Sequence, residues 1–103
     1  MTGIGLKKRH LDLIQKAIAR RGNVEKAVLF GSRATGTHKP ASDVDIALFG
    51  KNLTLDDEAQ ITSDLEESTL PFKADIIRHD TITSKDLKEH IQKHGKVIYG
   101  AGK

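Results

Sequence analysis

The sequence predicts an α/β fold, a small sheet of three to four strands with helices packed mainly on one face. Three observations carry this expectation. Apolar residues recur at helical spacing in several segments, short apolar runs bounded by glycine or proline lie between them, and the two kinds of segment alternate along the chain. Helices that alternate with strands cover the sheet those strands build. The pattern alone leaves the strand order open.

Taken in order, Leu11, Ile14, Ala17 and Ile18 share one helical face and Gly22-Asn23 supplies a stop, so a helix is expected over about residues 6–21. Ala27-Val28-Leu29-Phe30, ended by Gly31, reads as a buried strand. Val44, Ile46 and Leu48 alternate with Asp43 and Asp45 and make a second strand that stops at Gly50. Thr54, followed by Asp57 and Glu58, opens a helix whose apolar face is Leu55, Ile61 and Leu65. Pro71 marks its end, and Phe72 to Arg78 reads as a third strand. Ser84, with Asp86 and Glu89 after it, caps a last helix through about His94, where Gly95 ends it. Lys96-Val97-Ile98-Tyr99 reads as a short packed tail.

The 103 residues suit a single domain spanning 1–103. A chain of this size hides roughly 65% of the surface its unfolded form exposes, enough for one core but not for a second lobe around a substrate. Hydrophobic residues make up 37%, with three phenylalanines and one tyrosine, which points to a modest aliphatic core. Charged residues make up 30% with the signs mixed, and the net charge of +3 favours an acidic ligand only weakly. Lys7-Lys8-Arg9 and Arg20-Arg21 read as the solvated face of a helix rather than a nucleic-acid stripe. Without cysteine, disulfides and thiolate metal sites are excluded. No apolar run reaches 18 residues, so neither a membrane span nor a signal peptide is expected, and a soluble cytoplasmic protein is.

The chemistry is concentrated in Phe30-Gly31-Ser32-Arg33-Ala34-Thr35-Gly36 and Ser42-Asp43-Val44-Asp45-Ile46. A glycine at the end of a buried strand lets the chain turn sharply and lets a ligand approach the backbone. Ser32 and the residues after it can then offer N–H groups and a hydroxyl to phosphate oxygens. Alone, such a turn is equally a plain loop. Asp43 and Asp45 are two apart on a strand and face the same way. At about 5 Å two carboxylates repel by roughly 3 kcal/mol at an effective dielectric near 20, and a cation between them relieves this. Oxygen-only ligands favour Mg²⁺ or Mn²⁺ over zinc. Alone, the pair is equally an exposed strand end or an Asx turn at Ser42-Asp43. Asp75 lies in the apolar Ala74-Asp75-Ile76-Ile77 run and needs a partner. Lys73 or Arg78 would serve, as would a metal shared with the other two acids if the strands pair. His10, His38, His79, His90 and His94 have no spacing that builds a metal site with the acids, and they read as surface residues.

Together these motifs resemble the minimal nucleotidyltransferases of the DNA polymerase β superfamily, the group that includes MNT-type antitoxins. Gly31-Ser32, ten residues, Asp43-Val44-Asp45 and the later Asp75 follow that family's order, as do Arg33-Ala34-x-Gly36, Ser42 and the closing Gly95-Lys96-Val97-Ile98-Tyr99. The resemblance spans nearly the whole chain. It implies a palm-like mixed sheet with Gly31 and Ser32 on the triphosphate of ATP. Asp43 and Asp45 would ligate two Mg²⁺ ions, and Asp75 would complete the catalytic and metal-binding set. Arg33 is a further candidate for neutralising phosphate charge. The implied reaction moves AMP from ATP onto a hydroxyl of a partner, a helical HEPN-type toxin that the chain would neutralise as its antitoxin in a hetero-oligomer. Self-association is a second way to complete the pocket. The alternative is a nucleotide-binding module that neutralises the helical partner by contact, without catalysis. Neither a membrane nor direct nucleic-acid binding is expected.

Overall fold

The computed structural model describes residues 8–31, 44–70 and 73–100. Helix α1 (Lys8–Ala19) leads into strand β1 (Lys26–Phe30), and strand β2 (Val44–Phe49) leads through helix α2 (Leu55–Glu66) to strand β3 (Ala74–Arg78). A 3₁₀ turn (His79–Thr81), helix α3 (Lys85–His94) and strand β4 (Lys96–Gly100) follow. No helix among the described residues is long and apolar enough to cross a membrane.

The strands form one sheet in the order β3-β2-β1-β4. β1 runs antiparallel to both its neighbours, and β2 and β3 are parallel, so the sheet is mixed. The segment expected to be a packed tail is thus a fourth strand, joined to β1 with a register shift between Ala27 and Val28. Its sequence does not alternate, and what makes it a strand is the free edge of β1.

Two of the three described α-helices pack on one face. Ile14, Ala17 and Ile18 of α1 and Ile61 and Leu65 of α2 meet Leu29, Ile46, Leu48, Ile76 and Ile98 in the larger core. Ile46 and Leu48 are fully buried, and each contributes about 1.5–3 kcal/mol by leaving water. On the opposite face, Ile82 and Ile91 cover Val28, Phe30 and Ala47, with Phe49, Ile77 and Leu87 at the margin.

The second face is where register matters. Cross-strand partners share a face, so it carries rows running across the strands. Phe30, Asp45 and Asp75 form the row at one end, Val28, Ala47 and Ile77 the next, and Lys26 with Phe49 a third. α3 covers the middle row through Ile91 and Leu87. The row with the two acids lies at its edge.

The other end of the sheet is tied down by polar contacts. Thr54 is the N-cap of α2 and forms a capping box with Asp57, which is 2% exposed. Asp57 Oδ1 accepts from Arg21 Nε at 2.8 Å, and Oδ2 accepts from Asn23 Nδ2 at 3.0 Å and from the Thr54 N–H at 3.1 Å. The loop after α1 is thereby fastened to the start of α2. These contacts hold the Asp57 carboxyl below the usual carboxylate range, the Asn23 bond most of all, against the opposing pull of burial.

Candidate active site

β1 ends at Phe30, and Gly31 turns out of the sheet with φ of 81°. Only glycine adopts such a backbone without strain. It meets a second requirement here, because a Cβ on Gly31 would collide with the carboxylate of Asp45. The turn and the acid are therefore in contact, although 13 residues separate them on the chain.

Asp45 is the register partner of Phe30 on one side and of Asp75 on the other. Neighbouring strands lie about 4.8 Å apart, so the two aspartates stand side by side on one face of the sheet. Asp45 is half-buried and Asp75 exposed. Of the two side-chain partners open to Asp75, Arg78 is engaged elsewhere, donating to Glu58 at 3.3 Å. Asp75 makes no hydrogen bond or ion pair among the described residues. Ser32, Arg33 and Asp43, the remaining predicted site residues, lie outside those residues. Among the described residues, no three histidines, cysteines or acids assemble as a metal cage. Two adjacent carboxylates beside a backbone turn without a side chain make an oxygen donor set that fits a hard divalent cation.

Residues 12–103 match the family described as polymerase beta, nucleotidyltransferase. The chain belongs to this nucleotidyltransferase family. No curated protein matches it. Among solved structures, the nucleotidyltransferase resembles one chain of a toxin–antitoxin complex with AMP-PNP, with a TM-score of 0.73 at 24% identity over 89% of this chain and 74% of that one. A chain from the complex of a tri-AMPylated Shewanella oneidensis HEPN toxin with an MNT antitoxin gives a TM-score of 0.70 at 21% identity, over 92% of this chain and 73% of that one. A third match, from a MntA–HepT toxin–antitoxin complex, has a TM-score of 0.69 at 21% identity, over 91% and 73% of the two chains. At these identities the likeness is one of fold.

Three histidines of the nucleotidyltransferase, His10, His79 and His90, depart from the surface role expected of them, while His94 is exposed as expected and His38 lies outside the described residues. His10 is buried in α1. His90, half-buried on α3, accepts the N–H of Gly31 on its Nε2 at 3.0 Å and sets its ring edge-on to Phe30 at 6.3 Å. Its sequence signal was weak, a spacing of four from His94 on one helix. His79 lies two rows away and stacks on Phe49 at 4.3 Å, with Lys26 also over that ring at 4.4 Å. Burial, then Lys88 and to a lesser extent Lys26, pushes His79 below the usual histidine range, with Asp80 opposing.

Proposed function

We propose that this chain transfers AMP from ATP to a hydroxyl on a helical HEPN-type partner, and thereby acts as the partner's antitoxin in the cytoplasm. One observation carries the reading: Gly31 abuts Asp45, and Asp75 stands in register beside it. A glycine that turns out of the sheet and a pair of acids thus meet at one end of it. Family membership supports the transfer chemistry. The partner is suggested by the fold's likeness to chains from toxin–antitoxin complexes, one holding AMP-PNP and another an AMPylated HEPN toxin.

In this reading residues 1–103 act as one domain. Gly31, Ser32 and Arg33 hold the triphosphate, while Asp43, Asp45 and Asp75 would hold two Mg²⁺ ions. When bound, Mg²⁺ supplies positive charge to the phosphate oxygens and to the departing pyrophosphate. The acceptor oxygen forms a bond to the α-phosphorus, the bond from that phosphorus to the bridging oxygen breaks, and Asp75 takes the hydroxyl proton. The partner provides the acceptor hydroxyl.

The test is transfer of label from α-³²P-ATP with Mg²⁺ to a helical partner encoded beside this gene, comparing wild type with Asp43→Ala. Label that reaches the partner and disappears in the variant supports the transferase. Tight partner binding without label from any nucleotide would replace it with the contact-only module.

A further inference from the structure

We infer that His90 is a positioning residue for the nucleotide turn, fixing through its Nε2 the direction in which Gly31 leaves β1. The inference rests on the functional reading above for its link to ATP, but the contact itself can be tested without it.

The argument starts from what a glycine turn lacks. Gly31 has the widest choice of backbone conformations of any residue type, and nothing intrinsic selects φ of 81°. The ladder to β2 reaches only as far as Phe30 and Asp45. The first amide beyond it is taken by His90, 59 positions further along the chain. To accept there, the imidazole carries its proton on Nδ1. The ring is itself held in place. The next residue, Ile91, is buried against the sheet, the Phe30 ring lies across His90 at 74°, and His94 stands one helical turn away with ring centroids 5.3 Å apart. A side chain so confined makes a firm anchor for a flexible backbone.

Two consequences follow. The Gly31 N–H is committed to α3, so Gly31 serves the triphosphate through the shape of the turn and the space left by its missing Cβ. The conformation of Gly31 is also set before nucleotide arrives, so binding need not order that residue, and freedom lost on binding weakens affinity. Removal of the acceptor therefore weakens ATP binding and leaves the rate at saturation nearly unchanged, a split between KM and kcat that general destabilisation does not produce.

The experiment compares wild type with two variants. His90→Phe fills the space but cannot accept a hydrogen bond, and His90→Gln restores an acceptor oxygen. Exchange of the Gly31 amide is followed by NMR in the free protein, and binding of ATP with Mg²⁺ by calorimetry. The expected result is a protected Gly31 amide in wild type, at least tenfold faster exchange in His90→Phe, and ATP affinity lower by about tenfold, equal to about 1.4 kcal/mol. His90→Gln should recover most of both. An unprotected Gly31 amide in wild type overturns the inference, and so does equal ATP affinity in wild type and a folded His90→Phe. If wild type binds no nucleotide, the functional reading falls, and Gly31 exchange alone decides the His90 contact. If His90→Phe does not fold, the wild-type and His90→Gln values decide it.

Discussion

Asp57 and Asp75 stand at opposite ends of the same sheet, and the fold treats them in opposite ways. Asp57 is 2% exposed and surrounded by donors: the Arg21 guanidinium, the Asn23 amide and the Thr54 N–H. Asp75 is exposed, and its register neighbour is another acid, Asp45. An acid with its oxygens satisfied contributes to stability, because removing it leaves its donors without a partner. Aligned acids repel, and they contribute to the fold only when something positive joins them. The difference separates a carboxylate that holds the chain together from one that the proposed function assigns to a ligand.

The sharpest way to break this comparison is to neutralise one acid at each end. Asp75→Asn should lower nucleotide transfer to the partner by on the order of 10³-fold while leaving the melting temperature unchanged or slightly raised. Radiolabel transfer and a thermal melt read the two effects, and a large fall in melting temperature would make Asp75 structural too. Asp57→Ala should do the reverse. Loss of the buried acid costs about 3 kcal/mol in urea unfolding, with transfer per folded molecule retained.

A smaller effect sharpens the contrast between turns. Gly31→Ala places a Cβ against Asp45 at a positive φ and should destabilise by about 2 kcal/mol, with ATP binding lost. Gly22→Ala meets nothing within 4 Å and should change stability by less than about 1 kcal/mol. Parallel chemical denaturation of the two variants checks the pair.

The smallest effect is in pH. Asp57 is held below its unfolded value, so its contribution is complete above about pH 4, where the unfolded carboxyl is ionised. It is lost as pH falls from there through the depressed folded value. His79 is also depressed, so the unfolded chain binds its proton first and stability declines as pH falls below about 6.5. His79→Phe should flatten that second slope in a series of melts while leaving the acid limb in place.

Much of this was legible in the sequence where the signal is local. Thr54 and Asp57 showed the helix start because a capping box spans only four residues. Ser84 and Gly95 bracketed the last helix for the same reason. The apolar periods of α1 and β2 marked their inward faces, and Asp75 was expected to join Asp45 if their strands paired, as they do in parallel register. What escaped was settled by partners distant in the chain. Asp57 read as a charge suited to a helix end, because Arg21 and Asn23 lie some 35 residues away. His90 read as a surface histidine, since its bond to Gly31 crosses 59 positions. β4 read as a tail because an unpatterned segment becomes a strand only when an edge accepts it.

That edge has a consequence for how the domain is made. β1 is an inner strand, yet one of its two neighbours, β4, is the last described element to be synthesised. A nascent chain that has not yet reached Lys96 carries β1, with its Val28, Leu29 and Phe30, with one side of its backbone unsatisfied. Such an edge is a template for pairing with any other extended chain. Contacts between distant residues also form slowly, because the intervening loop must close first. The ribosome thus releases this fold through an interval in which its most apolar strand is open to strangers, and the closing of β4 ends that exposure.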